Sequence, residues 1–212
     1  MWGLQILLVS LIIASVAVYL VSLYRNNKRW KMIARPMATF LIILLALLQH
    51  ADAFPTYKLL VIGGLLVFLF SDLDFILHDG HSQISGYLMA MGLVLFTLAF
   101  SLYPGPYFIW EILALVVVYM VIFLLIFIRN AKTSLFAAFF FALFLSFFIW
   151  QAAGRAWYLG QEGVAYAFYG AVLMVISFTL IAYNSYVRPF RGATYAGAVM
   201  YWLSLCMIAL SV

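Results

Sequence analysis

Nine of the eleven Lys and Arg residues fall in every second gap between long apolar runs, which restricts the chain to a helical fold that threads a membrane. Eight runs can be marked: Leu4 to Tyr24, Pro36 to Leu48, Tyr57 to Leu77, Gly86 to Leu102, Phe108 to Ile128, Ser134 to Ala153, Gly163 to Tyr186 and Ala193 to Ser211. Most are long enough to cross about 30 Å of hydrocarbon as a helix. With 69% of the 212 residues apolar and 8% charged, no soluble core needs this composition. The expected fold is all-α, a single eight-helix transmembrane domain over residues 1–212.

The basic residues assign its sidedness. Arg25, Lys28, Arg29, Lys31 and Arg35 follow the first run, Arg129 and Lys132 the fifth, and Arg188 and Arg191 the seventh, whereas only Lys58 and Arg155 occupy gaps of the other parity. Positive charge favours the cytoplasmic side, so both termini are expected outside. The second run is the shortest, and Ala51, Ala53 and Phe54 offer an extension past His50 and Asp52. The first run has no basic residue before it and several at once after it, the pattern of a retained N-out anchor and not of a cleaved signal.

The net charge of +5 resides almost wholly in the cytoplasmic loops, where it suits anionic lipid headgroups better than nucleic acid. Cys206 is the single cysteine, so no intrachain disulfide can form. The connections are short and carry no periodic pattern, so function must reside in the helices. The sixth run is rich in phenylalanine, Phe136 to Phe148 covering more than one face, which reads as packing surface. A faint repeat links the third and seventh runs: Gly64 precedes Ser71-Asp72 by the spacing at which Gly170 precedes Ser177-Phe178.

Ionisable groups inside spans cost about 2.5–3.5 kcal/mol at the bilayer centre, so each is a functional candidate. Asp72 lies about 7.5 Å inside the cytoplasmic end of the third run, at about 1.5 Å per residue. Asp74 lies nearer the end, and at about 100° per residue its side chain points roughly 200° away from that of Asp72. The two are not a ready-made dyad. Arg35, Ser71, Ser177, Tyr183, Asn184, Thr194 and Tyr195 fall at the same membrane face, giving Asp72 a cationic partner in Arg35 and hydrogen-bond partners in Ser177 or Asn184 if the second, third, seventh and eighth runs assemble. The bland alternative is a partly solvated Asp72 that only supports packing. Asp74, His78 and His81 have i, i+4, i+7 spacing, but Asp79-Gly80 is a turn signal that breaks the face, and no metal site is expected. Glu111 and Glu162 belong to the opposite membrane face. No serine-hydrolase elbow, phosphate-binding glycine loop or zinc-protease helix occurs.

Four segments carry a family resemblance: Arg35-Pro36-Met37, "YKLLVIGGLLVFLFSDLDFIL" from Tyr57, "GAVLMVISFTLIAYNSY" from Gly170 and "YAGAVMYWLSLCMIAL" from Tyr195. On these the chain resembles the YhhN family of integral-membrane lysoplasmalogenases, eight-helix proteins whose best-studied branch cleaves the vinyl-ether bond of lysoplasmalogens. The resemblance implies Asp72 as the catalytic carboxyl group, with Ser177, Asn184, Tyr201 and Arg35 binding substrate. A carboxylic acid would protonate the vinyl-ether β-carbon and a second group would activate water, chemistry that calls for no cofactor. The chain departs from the family pattern at Phe178, where a second Asp is common, at Leu93 and Leu205, where polar residues are frequent, and at Arg35, where Lys is common. The expected function is therefore a lysoplasmalogenase-like hydrolase acting on a membrane lipid or lysophospholipid, in the cytoplasmic membrane if the source is bacterial. A catalytically degenerate homologue that binds or scaffolds lipid is the alternative, and a transporter ranks last because the charges crowd one interface and not the bilayer midplane.

Overall fold

The computed structural model describes residues 2–49, 55–78, 82–102, 105–130, 135–159 and 162–212. Each predicted run is helical: α1 (Trp2–Tyr24), α2 (Lys28–Leu48), α3 (Pro55–Leu77), α4 (Gln83–Ser101), α5 (Trp110–Asn130), α6 (Leu135–Leu159), α7 (Glu162–Tyr186) and α8 (Arg191–Leu210). Among the described residues seven are long and apolar enough to cross a membrane, and α5 adds a shorter apolar stretch, Trp110–Ile126. The proposed extension through His50 to Phe54 lies outside the described residues.

Two boundaries differ from the sequence reading for physical reasons. The second helix starts at Lys28, not Pro36, so most of the presumed basic loop is helix. Asn27 caps it by accepting the Trp30 N–H, which signals a helix start that the apolar pattern hides. Pro36 then lies inside the helix, where it lacks the N–H that would bond one turn back. At the other end of the chain, α6 runs on to Leu159 and carries buried Arg155 within it, not in a gap. Gly154 within it leaves room for Tyr107, whose Cβ would stand 2.4 Å from an added methyl group.

The chain forms two compact units, residues 1–96 with 212, and 97–211. In the first, three residues join α1 to α2, Asn26 adopting φ +51° so that the chain reverses within them. Ser15 Oγ donates to the Ala34 carbonyl at 2.9 Å, tying α1 to α2. Lys58 of α3 reaches across to the end of α2 and donates to the carbonyls of Leu47 and Gln49, a cation placed at a helix C-terminus where the dipole favours it.

The α3–α4 contact is made by three complementary pairs. Gly64 faces the Phe96 ring, Phe68 faces Gly92, and Ser71 Oγ meets Ser85 at 3.0 Å. The steps of four and three residues from Gly64 through Phe68 to Ser71 hold all three on one side of the helix. Phe68 and Phe96 stack at 5.4 Å, each filling the notch left by the other helix's glycine.

In the second unit α7 and α8 exchange the same kind of bond in both directions. Ser177 Oγ donates to the Gly197 carbonyl at 2.7 Å, and Ser204 Oγ to the Gly170 carbonyl at 2.6 Å. Glycine on each helix allows the approach and serine seven residues on secures it. The faint Gly–Ser repeat therefore has a structural meaning: it is a helix-pairing device used on both α3 and α7. Phe123 and Ala142 centre a small apolar cluster with Tyr119, Met120, Leu124 and Ala182, beside a 2.6 Å contact between the Tyr119 and Thr179 hydroxyls.

Gln151 of α6 pins the extended segment 105–109. Its Oε1 accepts from the Tyr107 N–H and Ser101 Oγ, and its Nε2 donates to the Tyr107 carbonyl, so both ends of its buried amide are engaged. Gln151→Leu is expected to cost about 1–3 kcal/mol, because the Tyr107 backbone groups lose their partner in a buried place. Limited proteolysis checks this: cleavage within 105–109 should precede cleavage elsewhere in the variant, and an unchanged pattern would show that the pin is dispensable.

Candidate active site around Asp72

The buried carboxylate of α3 is enclosed by α2. Asp72 is fully buried; its Oδ1 accepts from Arg35 Nε at 2.7 Å and its Oδ2 from Thr39 Oγ1 at 2.5 Å. Arg35 and Thr39 are four residues apart and so share one face of α2. The Arg35 guanidinium lies over the Phe75 ring, its central carbon 3.9 Å from the centroid. A charged pair this far from solvent is tolerated because each partner neutralises the other and the hydrogen bonds replace water. Ser71 turns the other way, into the α4 contact.

Both oxygens of Asp72 thus act as acceptors. Arginine can only donate, so the contact with Nε exists only where Asp72 offers a lone pair. As assembled, the site is equipped to steady a positive centre or to take a proton.

Asp74 occupies the side of α3 away from Asp72, as the helical spacing requires. Its Oδ1 is 3.0 Å from His78 Nδ1, while its Oδ2 is buried with no hydrogen-bond partner among the described residues. His81 lies outside the described residues, and among those described no group of three or more His, Cys, Asp or Glu side chains could hold a metal ion.

The expected substrate-binding residues Ser177, Asn184 and Tyr201 belong to the second unit. There Ser177 serves the α7–α8 contact described above. Asn184 accepts the Phe190 N–H at 2.9 Å and approaches Thr194 at 3.5 Å, which fastens the turn between the helices. Tyr183 packs edge-on against Phe190. Tyr201 is buried beside Phe178, ring centroids 6.3 Å apart, and Phe178 in turn meets Phe141 at 5.4 Å. Phe178, where the resemblance leads one to expect a second Asp, is here part of an aromatic cluster. Leu93 and Leu205 are fully buried apolar residues.

Two members of the site were missed in the sequence, Thr39 and Phe75. Thr39 is a lone hydroxyl in an apolar run and looks like any tolerated polar residue. Its placement one turn after Arg35 was the available signal.

The fold and the site together define an all-helical protein with membrane-spanning helices and a buried carboxylate–guanidinium pair near one end of them. The chain belongs to the YhhN family, whose model matches residues 30–212, a segment that contains Arg35, Thr39 and Asp72. No curated protein and no solved structure matches it.

Proposed function

We propose that this protein is a lysoplasmalogenase-like membrane lipid hydrolase that cleaves a vinyl-ether bond with Asp72 as its catalytic carboxyl group. The observation that carries the reading is the complete burial of Asp72 against Arg35 and Thr39 in a YhhN-family chain. Vinyl-ether hydrolysis adds a proton to the β-carbon, leaving an oxocarbenium ion at the α-carbon. Water then adds there, and the hemiacetal collapses to an aldehyde and the freed glycerol hydroxyl. The enzyme must supply one proton, protect the cation and activate one water.

The pair suggests how one carboxyl group serves in turn. A substrate phosphate competes for the Arg35 guanidinium, since both carboxylate and phosphate match its fork of donors. With Arg35 drawn off, Asp72 is free to hold the proton needed by the β-carbon. After transfer its carboxylate faces the cation and accepts a proton from the attacking water, with Thr39 fixing its orientation. Ser177, Asn184 and Tyr201 are retained as proposed substrate-binding positions on the family resemblance alone. The eight-span arrangement with both termini outside is part of the same proposal and is supported by the alternating basic residues; if the source is bacterial, the membrane is the cytoplasmic one.

Purified protein in detergent should release a long-chain aldehyde from lysoplasmalogen. Asp72→Asn should lower kcat by about 10²–10⁴-fold, the usual scale for removing an acid–base group. Thr39→Val should lower it less, about tenfold, because only the orientation of Asp72 is lost. No aldehyde from wild-type protein would exclude the activity. The apolar Phe178 favours a second reading, a homologue that binds lipid without cleaving it. Bound lipid recovered intact in the absence of turnover would support that reading.

A further inference from the structure

The Arg35 guanidinium is a planar, delocalised cation held between two groups of α3. Its Nε donates to Asp72 Oδ1 at 2.7 Å, and its central carbon stands 3.9 Å from the centroid of the Phe75 ring. Phe75 follows Asp72 by three residues, so ring and carboxylate share one side of the helix, about 4.5 Å apart along its axis. The carboxylate offers a full negative charge and the ring the negative face of its quadrupole. Together they make a seat for a flat cation. Water is largely kept from it, since Asp72 and Arg35 are buried and the half-buried ring lies one turn nearer the end of α3.

Vinyl-ether hydrolysis makes a cation of the same description. Proton transfer from the Asp72 carboxyl group to the β-carbon leaves Asp72 a carboxylate and turns the ether into an oxocarbenium ion, planar, singly charged and shared between carbon and oxygen. Water then adds to the α-carbon and returns a proton to Asp72, and the positive charge is gone. The charge exists only between these two steps, so a group that attracts it lowers the barrier without tightening the neutral substrate. An aromatic ring suits that duty because it brings no charge of its own to be buried before the cation forms.

We propose that Phe75 is a further catalytic residue, its ring face steadying the oxocarbenium ion in the place that Arg35 fills in the resting protein. The inference rests on the reading of Asp72 as the acid and on the exchange of Arg35 onto the substrate phosphate given with it. Arg35 leaves the ring before the second cation forms over it. The seat is built once and used twice.

The test replaces Phe75 with phenylalanine carrying one, two or three ring fluorines, which drain the negative face in steps at almost constant size, in full-length protein turning over lysoplasmalogen in detergent. kcat is expected to fall about two- to threefold per fluorine, and about 30-fold in Phe75→Leu, the scale of a desolvated cation–π contact. Binding of the matching saturated-ether lysolipid, which has no double bond to protonate, should stay within about twofold throughout, because the neutral ground state makes no use of the ring's charge. The same fluorines at exposed Phe70 of α3 should leave kcat unaltered. A ring that only props Arg35 would hold that side chain less firmly as fluorine is added, so kcat would stay level or rise while the unfolding temperature fell. A level or rising series from active wild-type protein would therefore overturn this inference and leave Asp72 as the acid. So would an equal fall at Phe70, which would make the loss a general effect of fluorine. Wild-type protein that releases no aldehyde would overturn the hydrolytic reading, and this inference with it.

Discussion

Asp72→Ala is expected to destabilise the protein by about 3–5 kcal/mol, because it leaves the Arg35 guanidinium charged and without its carboxylate in a buried place. The loss belongs to the pair and not to Asp72 alone. Arg35→Met combined with Asp72→Leu should therefore recover most of the stability, since a packed apolar pair of similar volume avoids the desolvation penalty altogether. The unfolding temperature in detergent checks both variants. A mild effect of Asp72→Ala would mean that solvent or a neighbouring group already compensates Arg35. The recovered double variant should still release no aldehyde, which separates the carboxyl group's chemistry from its part in the fold.

The second large effect is expected at Gly170. A Cβ there would stand 2.8 Å from Ile208 Cγ1, 3.0 Å from the Ser204 carbonyl oxygen and 3.2 Å from the Ile208 nitrogen. Two of these are backbone atoms that cannot rotate away, so Gly170→Val must push α7 and α8 apart. Overpacking of this kind costs typically about 1–3 kcal/mol. Separation also breaks the two serine-to-carbonyl bonds of the α7–α8 contact, each worth about 0.6 kcal/mol by analogy with other membrane helices. A total near 3 kcal/mol is expected, seen as a lower unfolding temperature. Gly63→Val is the control, since its added Cβ would meet nothing closer than Leu95 at 3.9 Å. Equal sensitivity at the two glycines would show that β-branching in the helix, and not the close approach, sets the cost.

The sequence made much of this legible and hid the rest for identifiable reasons. Eight apolar runs became eight helices because the length of a span is a direct consequence of bilayer thickness. The partnership of Arg35 with Asp72 was accessible because both lie near the same ends of adjacent runs, and an intramembrane carboxylate needs a cation. The start of α2 was hidden because Lys28, Arg29 and Lys31 interrupt the apolar pattern without interrupting the helix. Arg155 was placed in a gap for the same reason, a charge interrupting the apolar pattern but not the helix, and Gly154 beside it is a packing notch for Tyr107. Thr39 and Phe75 could be assigned only once α2 and α3 were seen side by side. The Ser177 hydroxyl has a second role that no motif announces, for it engages the Gly197 carbonyl of α8.

Protonation of a vinyl-ether carbon by Asp72 is tested most directly by isotope incorporation. Lysoplasmalogen turned over in D₂O should give aldehyde with one deuterium on the carbon next to the carbonyl, at a rate that collapses in Asp72→Asn while Thr39→Val retains it in part. Aldehyde without that deuterium, or labelled aldehyde formed equally well by Asp72→Asn, would contradict the account.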